Sequence, residues 1–376
     1  MKTTHRSDAF TLVEVLVASG IVVVIMGVLL GMTDQTQKLV KTTSAKVEQF
    51  QEARIGFESM TRHLAQATLN TFWDYKYSKT TGSPIGYERK AELRFHSAST
   101  KALNPSGGPS GVLQPGHSVF FQAPIGRVND TVKLGALDHL MNTWGYFLEL
   151  ADDQATLPTF LQGTVNPRKR YRLMELMEPS EKLSVYKSQG DANNRDWFQS
   201  SLSSSTRPVR VLAENIVALI VLPRLSLTDE KRISVSPPPV LAPKYNYDST
   251  VTPAASQNAA TANTLSAMLL NSHNQLPPVV QVIMIAIDEP SARRLEDYNS
   301  SDPYLGIGYS PLNYSGQYSG QNLFAEPASL EDSGNLPGDL SKFQDMLVSR
   351  KVSYRVFSSN VTIKGAKWSL HTATAN

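Results

Sequence analysis

The chain has 376 residues, 41% of them apolar, with 22 glycines, 22 prolines, no cysteine and a net charge of +3. That length suits one or two domains. The lack of cysteine excludes disulfides, thiolate metal sites, lipid attachment at Cys and Cys nucleophiles, and the near-neutral charge argues against a dedicated nucleic-acid binder.

Residues 10–32 read FTLVEVLVASGIVVVIMGVLLGM, with Glu14 the only charge. As a helix they span about 35 Å, enough to cross a bilayer with some tilt. The preceding MKTTHRSDA is short and polar, with Lys2 and Arg6. A cleaved secretory signal has a shorter apolar core and a small-residue cleavage site, and Met32-Thr33-Asp34 is not one. A carboxylate in the apolar layer costs at least about 2.5 kcal/mol, so Glu14 needs a partner and a job. Lys2 and Arg6 place the amino terminus in the cytoplasm and residues 33–376 on the far side, with Lys38 and Lys41 weakening the asymmetry. Gly27 and Gly31 form a small-xxx-small pair that permits close helix packing, although glycine is common in such helices.

Residues 33 to 70 contain no proline and one glycine, Gly56. Val40, Val47, Phe50, Phe57, Met60, Leu64 and Ala67 recur at helical spacing, opposite a charged face that includes Lys46, Glu52, Glu58 and Arg62. One helix of roughly 60 residues is expected, half in lipid and half lying on a folded domain. A coiled-coil dimer is disfavoured, since the stripe is too short for three or four clean heptads.

After residue 70 the period changes. Segments 91–96, 118–123, 145–151, 168–176, 209–213, 216–223, 279–288 and 354–363 read as strands separated by Gly, Pro, Asn or Ser. No clear helix lies between most of them. The expected fold class is therefore α+β, a long amino-terminal helix packed on a mostly antiparallel sheet of roughly four to six strands. The connections 97–116, 225–277 and 299–338 are long; the second holds a possible short helix at 262–271, and the third carries Tyr304, Tyr309, Tyr314 and Tyr318. Loops of this length are functional or poorly ordered. These tyrosines suit adaptable contacts or a lid over the sheet.

No HExxH, GxSxG, P-loop or GxGxxG motif is present, so no enzyme, no catalytic residue and no cofactor is expected. The seven histidines do not pair at ligand spacing and read as surface or packing residues. Asp191, Asn193 and Asp196 superficially match a calcium loop, but Arg195 stands where an oxygen ligand is needed. Asp332, Asn335 and Asp339 are spread over a Gly/Pro loop. Both sets read as polar loops, and no metal is expected. Arg168, Arg170 and Arg172 share one face of a strand; a solvated face or a charge-guarded sheet edge is favoured over an acidic or nucleic-acid partner.

The short basic leader, Phe10-Thr11-Leu12-Val13-Glu14 and the unbroken apolar helix together resemble type IV prepilins and pseudopilins over residues 1–70. The motif is specific, because leader, aromatic first residue, acidic fifth residue and anchor length coincide. The resemblance implies cleavage between Ala9 and Phe10 by a prepilin peptidase on the cytoplasmic side, and methylation of Phe10. Ala9 departs from the family, which usually has Gly there. The resemblance also implies that Glu14 is the assembly residue, paired with a neighbouring subunit's amino terminus. The domains would be a leader (1–9), a transmembrane half-helix (10–32), an exported amphipathic half (33–70) and a β-rich globular domain (71–376) with long loops at 225–277 and 299–338. The implied protein is a minor subunit of a type IV pilus or type II secretion pseudopilus. It would be held single-pass in the bacterial inner membrane, with other pilins or pseudopilins as partners and no nucleic acid. Val211-Leu-Ala-Glu-Asn-Ile-Val running into a strand, and Leu276-Pro-Pro-Val-Val preceding another, resemble J-type minor pseudopilins. The segment RVFSSNVTIKGAK (355–367) is similar to the Verru_Chthon cassette protein C family. Two rivals are a membrane-tethered hydrolase and a tethered binding module for a protein or carbohydrate ligand.

Overall fold

The computed structural model describes residues 11–103, 116–135, 137, 139–154, 157–188, 195–204, 206–233, 240–251, 272–298 and 323–369. The chain divides into two compact units, Met1–Gln49 and Phe50–Asn376.

Helix α1, Leu12–Leu64, is continuous over 53 residues. In the first unit the large apolar residues from Leu12 to Met32 are exposed. Leu12–Val40 is the one helix among the described residues long and apolar enough to cross a membrane. In the second unit Ala53, Phe57, Met60 and Leu64 are buried at helical spacing, while Arg54 and Glu58 form an exposed pair one turn apart at 2.7 Å. The expected stripe is thus covered only from its later part. Val40 is 58% exposed, and the Val47 side chain lies outside the described residues. The helix ends six residues before residue 70. Gln66 N donates to His63 O and Ala67 N to Leu64 O, a tightened last turn.

The sheet expectation holds for its antiparallel character and needs correcting in its number. Three sheets form. The largest has six strands in the order β7-β6-β5-β4-β3-β9, where β3 is Phe95–Ser99, β4 His117–Pro124, β5 Met141–Asp152, β6 Lys169–Glu178, β7 Val209–Glu214 and β9 Tyr247–Asp248. The second has the order β11-β10-β8, from Ile216–Arg224 (β8), Val279–Ile287 (β10) and Tyr354–Thr362 (β11). The third is a two-stranded ribbon of β1, Phe72–Tyr77, and β2, Pro84–Lys90. All the strand pairings are antiparallel.

Both faces of the large sheet are buried. Val119, Phe121, Tyr146, Leu148, Tyr171 and Leu173 join the main core with α1 and the three-stranded sheet. Their neighbours Phe120, Phe147, Met174 and Leu176 form a second core with helix α2, Asp196–Ser203, through Trp197, Phe198 and Leu202. The rings of Phe120 and Phe198 stack at 4.0 Å. Gly145 makes room for that stack, since a Cβ there would lie 2.3 Å from the Phe120 ring. β8, IVALIVLPR, is buried along all but its last residue, which explains its unbroken apolar run. The chain leaves β7 for β8 at Asn215, whose φ of 60° puts it in the left-handed region that Asn tolerates better than most residues.

Several elements depart from expectation. β1, β2 and β9 were not anticipated, nor were α2, α3 (Glu289–Tyr298) and α4 (Asp339–Ser349). The strand expected at 91–96 starts at Phe95 instead. The ribbon is missed because its apolar side chains face solvent, so no buried face imposes a core pattern. β9 is only two residues long, held by pairing with β3 inside the connection 225–277. The possible helix at 262–271 lies outside the described residues.

Candidate functional site

The cleavage pair Ala9 and Phe10 lies outside the described residues, which begin at Thr11. Thr11 and Glu14 close the first turn of α1 on each other. Thr11 N donates to Glu14 Oε2 at 2.9 Å, the Thr11 hydroxyl donates to the same oxygen at 3.0 Å, and Glu14 N donates to Thr11 Oγ1 at 3.3 Å. This is a capping box, Thr-x-x-Glu, which satisfies two orphan donors of the helix start; the carboxylate also suits the positive end of the helix dipole. Among the described residues Glu14 Oε1 accepts no hydrogen bond. Gly27 and Gly31 lie one turn apart, and a side chain at either would meet nothing within 4 Å.

The other end of α1 carries a polar cluster that residue spacing does not reveal. His63 Nδ1 lies 2.7 Å from the Tyr146 hydroxyl, which donates to Glu175 Oε1 at 2.8 Å, while Arg210 pairs with Glu175 Oε2. The His63 ring packs on Trp144 at 4.3 Å. Burial pushes the Glu175 carboxyl up, but hydrogen bonds from His63, Arg210 and Tyr146 outweigh it and hold it below the usual range. Burial and then the Glu175 charge push the Tyr146 phenol well up. A carboxylate held charged and a phenol held protonated tie α1 to β5 and β6. They are tuned away from a base or nucleophile poised near neutral pH. The register directly opposes Tyr146 and Glu175, and 83 residues separate His63 from Tyr146.

The basic run is not a charged edge, and only its start is solvated: Arg168, just before the strand, is half-exposed and Lys169 is exposed. β6 is an interior strand between β5 and β7. Arg170 is 2% exposed and paired with Glu289; Arg168 reaches Asp153 Oδ2 at 2.9 Å and Arg172 reaches Glu214 Oε1 at 3.2 Å. Of the calcium candidates, Asp332, Asp339 and Asp196 have other roles, Asn335 is exposed in its loop, and the rest lie outside the described residues. Asp339 is buried and accepts from Phe324 N and the Ser329 hydroxyl, and Asp332 accepts from Gly338 N. Asp196 opens α2; Asp191 and Asn193 lie outside, as do Tyr304, Tyr309, Tyr314 and Tyr318. Among the described residues no group of three or more His, Asp or Glu side chains could hold a metal. His96 and His117 are buried core residues.

No family model, curated protein or solved structure matches this chain.

Proposed function

We propose that the chain is a prepilin-like structural subunit, cut between Ala9 and Phe10 and assembled through α1 into a type IV pilus or type II secretion pseudopilus as a minor component. The observation that carries the reading is the Phe10–Glu14 motif at the head of a continuous helix whose first half is apolar and exposed. In this reading Leu12 to Met32 sits in the bacterial inner membrane, the amino terminus is cytoplasmic and the second unit lies on the far side. Prepilin peptidase and other pilins or pseudopilins are the partners. Glu14 keeps its capping contacts on Oε2 and offers Oε1 to the ammonium of a neighbouring subunit's Phe10, an ion pair that offsets the cost of a carboxylate in the apolar layer. The open faces at Gly27 and Gly31 suit close packing of neighbouring helices.

Mass spectrometry of the membrane-extracted protein tests the reading. A chain beginning at N-methylated Phe10 is expected. An intact Met1 in cells with an active prepilin peptidase would sink the proposal.

A further inference from the structure

The hairpin after α1 carries an exposed aromatic face, on which Arg89 of the hairpin itself lies against Trp73. Among the described residues β1 and β2 pair only with each other. Their register sets Trp73 beside Arg89 and Tyr75 beside Tyr87 on one face, with Tyr77 next along it. The Tyr75 ring lies 5.1 Å from Tyr87 and 6.3 Å from Tyr77, and the Arg89 guanidinium lies 5.0 Å from the Trp73 ring centre. The four aromatic side chains are 57%, 48%, 57% and 62% exposed for Trp73, Tyr75, Tyr77 and Tyr87. One cross-strand aromatic pair helps to hold a hairpin. Trp73 and Tyr77 extend the surface on either side of that pair, and a contiguous exposed patch of this kind marks a binding surface. Tyr and Trp present such area at little cost in side-chain entropy.

Charge decides the occupant. On the opposite face Lys90 Nζ is held by Asp74 at 2.6 Å and Glu88 at 3.4 Å. Arg89 sits on Trp73 and donates to the Ser369 hydroxyl. A polyanion is gripped by several uncommitted cations, and the aromatic face does not offer them. It offers flat apolar rings fringed by phenol hydroxyls. That surface complements a sugar ring, which has an apolar C–H face and hydroxyls around its edge. We propose that the β1–β2 ribbon is a platform for a neutral polysaccharide, with Trp73, Tyr75 and Tyr87 stacking on sugar rings. The inference stands independently of filament assembly.

The test is affinity electrophoresis of the full chain in detergent through gels containing dextran, hydroxyethylcellulose, galactomannan or laminarin, with heparin and oligo-dT as polyanion probes. Retention by at least one neutral polymer is expected. Trp73→Ala and Tyr87→Ala should each weaken it about tenfold, and Trp73→Phe should keep most of it. Tyr77→Ala leaves the Tyr75–Tyr87 pair to hold the hairpin and should weaken retention several-fold. Tryptic cleavage at Lys76, inside β1, reports whether each ribbon is folded. Three results overturn the proposal: no retention by any of the four neutral polymers, retention that Tyr77→Ala and Trp73→Ala both leave unchanged, or retention by heparin or oligo-dT alone.

Discussion

Arg170 and Glu289 join the large sheet to α3 through two parallel contacts. Arg170 Nη2 lies 2.7 Å from Glu289 Oε1, and Arg170 Nε lies 3.2 Å from Oε2. Asn215, at the corner between β7 and β8, adds its Nδ2 to Oε2 at 3.1 Å. One carboxylate thus ties together β6, α3 and the point where the chain changes sheets. Removing one partner of a buried pair leaves the other charge short of contacts, although Arg293 at 3.3 Å and Arg168 at 3.6 Å still reach Glu289. Arg170→Met should lower stability by about 1–3 kcal/mol, less than for a fully stranded charge because Glu289 is partly solvated and keeps Arg293 and Arg168 nearby. Arg170→Met combined with Glu289→Leu should recover part of it. Unfolding by urea followed by tryptophan fluorescence checks this, since Trp73, Trp144, Trp197 and Trp368 all lie in the second unit.

The same pair sets an acid limit. Burial raises the Glu289 carboxyl, but hydrogen bonds from Arg170 and Asn215 and the Arg170 charge bring it down to about 2. The folded value lies below the unfolded one, so the stability it contributes is present above about pH 4.5 and is lost as pH falls toward 2. Arg170→Met should flatten the loss of urea midpoint in that window.

His117 acts at a higher pH. Val221 N donates to its Nδ1 at 3.3 Å, so Nε2 carries the proton and donates to Phe324 O at 3.3 Å. The ring packs on Tyr245 at 4.2 Å. Burial pulls its pKa down to about 4, against a smaller upward pull from the Phe324 carbonyl. The unfolded chain binds the proton first, so stability falls as pH drops from about 6.5 to 4, by at most about 3 kcal/mol. His117→Gln should be less stable than wild type at pH 7 and lose less between pH 6.5 and 4. Parallel slopes in that interval would remove His117 from the acid response.

The seat of α1 can be probed by contrast. Met60 is fully buried and Ile55 is 67% exposed. Met60→Ala should cost about 2–5 kcal/mol, and Ile55→Ala should stay within about 0.5 kcal/mol. Gly145→Ala should cost about 1–3 kcal/mol, because the added methyl enters the space of the Phe120 ring. The urea midpoint reads all three.

Thr11 separates the two roles open to Glu14. Thr11→Ala removes the capping partner and leaves the carboxylate; Glu14→Leu removes both. If Glu14 pairs with a neighbouring subunit, cross-linking of processed chains to other prepilins should fall sharply in Glu14→Leu and stay near wild type in Thr11→Ala. Equal losses in the two variants would leave Glu14 as a helix cap alone. Cleavage after Ala9 should persist in Glu14→Leu.

The apolar run, the helix and most strands were legible because each has a local cause. A charge-poor run of bilayer length needs no tertiary partner to be recognised, and a 3.6-residue stripe or a β-branched run reports its own buried face. The Thr-x-x-Glu spacing at Thr11 and Glu14 is equally local, and its capping geometry could have been read from the sequence. What only the tertiary structure decided are relations between distant residues. Whether Arg170 faces water depends on Glu289, 119 positions away, and an alternation of Arg with apolar neighbours reads the same for a solvated face as for a buried pair. The cluster of His63, Tyr146, Glu175 and Arg210 exists because the β5–β6 register opposes Tyr146 to Glu175 while α1 ends above them. The division into a six-stranded and a three-stranded sheet turns on Asn215, a single residue at positive φ between two segments that each look like ordinary strands. Local periodicity states which side of a strand is buried; it carries no record of which other strand buries it.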